Sequence, residues 1–152
     1  MNGKLSWSIF WALVGVYAVI ASVFFIPAAR ELLMGFLFLT ISGAVFLLLG
    51  VALILSTVKE KMAGMLKKFF ILTGASSAGF FVSVSLHNAI YGLFIYWFGA
   101  DFWDRTGLGD EPFFFIMAIL VCPIGLLVGM VGSIVLAIKQ SKTARKSLSS
   151  PQ

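Results

Sequence analysis

Four long apolar runs, separated by short polar breaks, set the pattern of the chain. The first extends from Leu5 to Ala29 and is closed by Arg30 and Glu31. The second extends from Leu32 to Val58 and is closed by Lys59-Glu60-Lys61. The third covers Phe69 to Gly99, and the fourth covers Phe113 to Ile138, ahead of Lys139. Each run reaches the ~20 residues a helix needs to cross a bilayer. Backbone amides in lipid must be satisfied within the segment, and the runs lack the period-two alternation of barrel strands. The pattern therefore predicts an all-α membrane protein: a four-transmembrane-helix bundle, with spans at about 5–29, 32–58, 69–99 and 113–138. One transmembrane domain covers 1–138. The basic, Ser-rich segment 139–152 is expected to be a disordered cytoplasmic tail. The first run is too long for a signal-peptide core, and Pro27-Ala28-Ala29 is a poor cleavage site, so it is read as a retained span. Arg30 and Glu31 leave so little room that the first two spans should form an antiparallel hairpin.

Composition sharpens this reading. Of the 152 residues, 61% are hydrophobic and 11% charged, against about 25% charged in an ordinary soluble domain. Soluble enzymes are excluded, because a small domain has too little interior for so much apolar surface. The net charge of +5 is explained by its placement, with no nucleic-acid partner. Lys4, Lys59, Lys61, Lys67, Lys68, Lys139, Lys142, Arg145 and Lys146 share one side. The other side holds Arg30 and Arg105 with Asp101, Asp104, Asp110 and Glu111. The positive-inside rule then places both termini in the cytoplasm (N-in/C-in) of a multi-pass plasma-membrane protein.

Reactive residues are scarce. Cys122 is the lone cysteine and His87 the lone histidine, which excludes an internal disulfide, a CxxC pair and a bis-histidine haem within one chain. The outer acidic residues lack EF-hand spacing, so no metal is expected. There is no HExxH motif, and every aspartate lies in the outer loop. Ser83 and His87 sit one turn apart without an orienting third group, and Gly74-Ala75-Ser76-Ser77 is no nucleophile elbow. The expectation is a protein that is not an enzyme and carries no cofactor. The first span holds no acid of the kind small multidrug exporters use, and the outer cysteine pair of claudins is missing.

Polar and small residues inside the spans are the remaining candidates. In the third span Ala75, Gly79, Ser83, His87 and Tyr91 recur at steps of four, on one helical stripe. His87 lies ~18 Å below Gly99 along the helix, in the middle or outer half of the membrane. Tyr17, Ser42, Ser83, His87 and Asn88 could form an intramembrane polar layer, joined by the Ile119 carbonyl, which Pro123 cannot bond. Gly79 in the third span, and Gly125, Gly129 and Ser133 in the fourth, are candidate helix-packing positions, within the bundle or in a homodimer. Gly35, Gly43 and Gly50 give the second span a slimmer face. Asp110 and Glu111 suit the start of the fourth span, with Pro112 in its first turn.

The stretches Leu86-His87-Asn88-Ala89-Ile90-Tyr91, Asp101-Phe102-Trp103-Asp104-Arg105 and Asp110-Glu111-Pro112-Phe113 through Cys122-Pro123 resemble small uncharacterised prokaryotic four-helix membrane proteins. The resemblance covers the second half of the chain. It implies the same fold and a prokaryotic plasma membrane, and no activity. The expected role is thus structural or interactive: a small accessory subunit in the lipid bilayer, self-associating or part of a larger membrane complex. The alternative is a small transporter or ligand-binding bundle centred on His87 and Asn88.

Overall fold

The computed structural model describes residues 3–26 and 36–148, and their secondary structure is helical. The chain forms α1 (Lys4–Phe25), α2 (Phe36–Lys59), α3 (Gly64–Phe98), the short α4 (Phe102–Thr106) and α5 (Pro112–Ile116). A π-helical turn (Met117–Val121) then leads into α6 (Cys122–Leu148). Among the described residues four helical stretches are long and apolar enough to cross a membrane. The Arg30–Glu31 connection and Gly35 lie outside the described residues.

Boundaries shift where local chemistry is stronger than hydropathy. α3 begins at Gly64, so Lys67 and Lys68 sit in its first turns rather than in a loop. Gly64 has φ 71°, a conformation that costs glycine little. The resulting helix of 35 residues is ~52 Å long, more than the ~30 Å of hydrocarbon. α6 continues to Leu148 rather than ending at Ile138, with Lys139 and Lys142 on its last exposed turns. Residues 149–152 lie outside the description.

Packing is serial: α1 lies along α2, α2 along α3, and α3 along α6. All three pairs are antiparallel, because Tyr17 faces Phe46 while Ser6 faces Glu60, Gly50 faces Gly74, and Gly129 faces Thr73. In lipid, apolar burial does not itself drive association, so helices gain by close approach and interhelical hydrogen bonds. The α2–α3 seam shows both. A Cβ on Gly50 would meet the Gly74 carbonyl oxygen at 2.6 Å, and one on Gly74 would meet the Gly50 oxygen at 2.6 Å. Next to that crossing the Ser77 hydroxyl donates to the Phe46 carbonyl at 2.7 Å. The α3–α6 seam uses the small ridge: a Cβ on Gly129 would stand 2.8 Å from the Thr73 nitrogen and 3.0 Å from the Phe69 oxygen. Ser133 is fully buried and donates to the Gly129 carbonyl at 2.8 Å.

The densest core gathers where α1 begins and α2 ends. Phe10, Leu13, Leu53, Phe70 and Met130 are buried there, with Met62 and Leu66 packed against them. Phe10 stacks on Phe70 at 5.1 Å, and Trp7 meets Phe70 edge-on at 4.9 Å. Glu60, which the sequence presents only as a loop charge, fastens this end. Its carboxylate accepts from the Leu5 N–H at 3.1 Å, the Ser6 N–H at 3.0 Å and the Ser6 hydroxyl. Residues at the end of α2 thus cap the free N–H groups of α1 across a gap of more than fifty residues in sequence.

These donors, the Ser6 hydroxyl foremost, hold the Glu60 carboxyl below its ordinary value of 4.5. A carboxyl depressed in the folded state stabilises the fold above its unfolded value, and that contribution fades as pH falls below about 4.5. Thermal unfolding in detergent, followed from neutral pH downward, should therefore show a steeper acid loss in wild type than in Glu60→Gln. Parallel curves would exclude the cross-helix cap as a source of stability.

Candidate functional site

The serial packing leaves the first and last long helices apart. Between them lies a cavity of about 600 Å³, within the ~300–1,000 Å³ range of small-molecule sites. α1 contributes Tyr17, Ile20 and Ala21. α2 contributes Ser42, Gly43 and Phe46, and α3 contributes Ser76 and Phe80. The wall facing α1 is built from Ala118, Ile119, Cys122, Pro123 and Leu126. Tyr17 is ~20 Å along α1 from Lys4, and Cys122 is ~15 Å along the chain from Pro112. The cavity therefore sits near mid-membrane depth. No charged side chain lines it.

The far wall is irregular for a definable reason. Pro123 has no N–H to give the preceding turn. The helix answers with the π turn Met117–Val121, in which the Cys122 N–H reaches back five residues to the Met117 carbonyl. The Ala118 oxygen thereby loses its α-helical donor, Cys122, to Met117. Its π-helical donor would be Pro123, which has none. Pro123 equally has no N–H for the Ile119 carbonyl, the group that the sequence singles out. Cys122 is buried behind this turn, and a Cβ on Gly79 would touch its sulfur at 3.2 Å.

A second polar centre lies at the other end of α3. His87 Nδ1 is 3.2 Å from the Glu111 carbonyl oxygen and 3.4 Å from Glu111 Oε2. Both are acceptors, so the hydrogen-bond pattern assigns a proton to Nδ1. Nε2 faces Asp110 Oδ2 at 3.6 Å. Glu111 is only 7% exposed, yet its charge is well used. It is the N-cap of α5, with Oε1 accepting from the Phe113 N–H at 2.9 Å and Oε2 from the Phe114 N–H at 3.0 Å. Around it, Tyr91 stacks on Trp103 at 5.8 Å, and the Trp103 indole N–H donates to the Tyr91 carbonyl at 3.2 Å. The 100–111 loop is thereby folded down onto α3 and tied to it through His87.

The candidate polar positions consequently separate. Tyr17 and Ser42 line the mid-membrane cavity. Ser83 is buried on α3. His87 belongs to the acidic loop junction, and Asn88 is exposed, its amide donating to the Val84 carbonyl of its own helix at 2.8 Å. The packing positions, by contrast, come together. A Cβ on Gly125 would collide with Ser76 Oγ, and Gly79, Gly129 and Ser133 lie in the same α3–α6 seam. Ala75 of the predicted stripe is exposed, while Gly74, Ser76 and Ser77 take the buried faces.

Two features escape the sequence. Asp110 and Glu111 are legible as charges of the loop and of the helix start, but their meeting with His87 is not, because 24 residues separate Glu111 from His87. The Ala118 carbonyl follows from a π turn that periodicity cannot reveal. A comparison with known proteins finds no matching family model, no matching curated protein and no matching solved structure.

Proposed function

We propose that this chain is a non-enzymatic interaction protein of the plasma membrane, with both termini cytoplasmic, that works by holding another membrane component. The observation that carries this reading is the cavity between α1 and α6. α1 packs along α2, and its other flank fronts a void lined by four helical stretches at mid-membrane depth. A void of that size inside a bundle loses packing contacts along its whole lining unless something fills it. The nine basic residues at one end, against the acidic outer loop, support the cytoplasmic placement of both termini.

A second reading, a transport or ligand site at His87 and Asn88, is supported by the carboxylates of Asp110 and Glu111 beside the imidazole. The same carboxylates also anchor the outer loop, which favours a structural duty for His87.

Native mass spectrometry of the protein released from nanodiscs tests the first reading. A lipid, small molecule or partner chain should remain bound in stoichiometric amount, and Ala21→Phe, which projects a ring into the cavity, should reduce it several-fold. A protein that emerges bare, with Ala21→Phe indistinguishable from wild type, would overturn the reading.

A further inference from the structure

We propose that His87, Asp110 and Glu111 form a proton-operated clamp on the 100–111 loop. The imidazolium form of His87 bridges the two carboxylates and holds the end of the loop on α3, and the neutral ring releases it. The inference is independent of what fills the cavity between α1 and α6.

The contacts around the ring ask for more protons than a neutral imidazole carries. Nδ1 lies 3.2 Å from the Glu111 carbonyl oxygen and 3.4 Å from Glu111 Oε2. Nε2 lies 3.6 Å from Asp110 Oδ2. A backbone carbonyl and an ionised carboxylate only accept. A neutral ring has one N–H, so in either tautomer the other nitrogen turns its lone pair toward an acceptor oxygen. The doubly protonated ring has an N–H for each side, and both contacts then gain from charge.

The carboxylates are set in place by backbone groups. Asp110 Oδ1 accepts from the Glu111 N–H at 2.7 Å, which leaves Oδ2 to face His87. Glu111 Oε1 and Oε2 accept from the Phe113 and Phe114 N–H groups. The other elements around the ring bring no competing cation. On α3 the neighbouring ring is Tyr91, at 6.4 Å, and on α5 it is Phe115, at 5.6 Å. In α4, Asp104 is exposed, and Arg105 is taken by Asp101 at 3.3 Å and by the Phe98 carbonyl at 2.8 Å. α2 has no ionisable side chain until Lys59, at its far end. Among the described residues the ion-pair partners of His87 are thus Asp110 and Glu111. The His87 side chain is 17% exposed and that of Asp110 47%, so the proton exchanges with the aqueous phase.

Histidine changes charge between about pH 5 and 8. The clamp is therefore closed on the acid side of that interval and open on the alkaline side. The loop's other ties run from the Trp103 indole to the Tyr91 carbonyl and from Arg105 to the Phe98 carbonyl. Indole and guanidinium keep their protons throughout, so the loop loosens at its Asp110 end alone. Under the topology proposed above, this end faces outward and the clamp responds to external acidity.

A nitroxide on Leu108→Cys, an exposed loop position, reads the clamp in the full chain in nanodiscs, with Cys122→Ala removing the other thiol. The label should be immobilised at about pH 6 and several-fold more mobile at about pH 8. Asp110→Asn offers Nε2 an acceptor when the ring is charged and a donor when it is neutral, and should hold the label immobile at both. His87→Gln does not titrate and should give one mobility at both. A reference protein with equal mobility at the two pH values, or with more at the lower, would overturn the proposal. So would a pH response that survives in either variant: in His87→Gln it belongs to another group, and in Asp110→Asn the bridge has no second arm. Asp110 is half-exposed, so Asp110→Asn gives the answer even where His87→Gln does not fold.

Discussion

Gly129→Ile is expected to destabilise the isolated protomer by about 3 kcal/mol, read as a large drop in the melting temperature in mild detergent. The reason is the identity of the atoms in the way. A Cβ at this position meets the Thr73 nitrogen at 2.8 Å and the Phe69 oxygen at 3.0 Å. Both belong to the backbone of α3, so no rotamer change relieves the collision and the helices must separate. Separation also exposes the Gly125–Ser76 contact and the buried Ser133. Val128→Ile, one residue earlier on a half-exposed position, is the control and should change stability by less than about 0.5 kcal/mol. The melt and a cross-linking experiment on the same samples separate two uses of the ridge. A protomer that melts like wild type while a cross-linked dimer disappears would move the ridge from the bundle interior to a subunit interface.

Glu111→Ala carries the second large effect, a loss of about 2–3 kcal/mol. Three duties end together. The Phe113 and Phe114 N–H groups lose their acceptor at the start of α5. His87 loses the Oε2 atom beside Nδ1. The 100–111 loop loses one of its ties to α3. Glu111→Gln keeps a carbonyl oxygen for the cap and should cost about half as much. The pairing with His87 is read by a double-mutant cycle: Glu111→Ala and His87→Ala together should cost about 1 kcal/mol less than their sum. Limited proteolysis of the loop Ala100–Asp110 gives an independent readout, with cleavage faster in Glu111→Ala than in Asp104→Ala. If the two variants melt and cleave alike, Glu111 does not hold the loop.

How far the sequence reaches depends on the range of each interaction. The four membrane-length helices are legible because a long apolar run reports its own secondary structure in lipid. The start of α5 is legible as well: Asp110-Glu111-Pro112 announces an acidic cap and a first-turn proline, and Glu111 caps there. Gly125, Gly129 and Ser133 are identifiable as a close-packing ridge, though not as one that belongs to α3 in particular. The missed features are those that need two distant segments at once. Glu60 reads as one more loop charge until Leu5 and Ser6 stand beside it. His87 reads as a lone imidazole until the 100–111 loop folds back. The boundaries of α3 and α6 run past the apolar runs because lysines can continue a helix beyond the point where hydropathy falls.

The serial order of packing bears on how the chain is made. α3 takes part in two of the three long seams, with α2 through Gly50 and Gly74 and with α6 through Thr73 and Gly129. A nascent polypeptide that has emerged as far as Phe98 can already close the Glu60 clasp and the α2–α3 crossing. What it lacks is α6 and the wall opposite α1. The cavity is therefore the last part of the bundle to come into being during synthesis, and until then its future lining is open to the surrounding lipid.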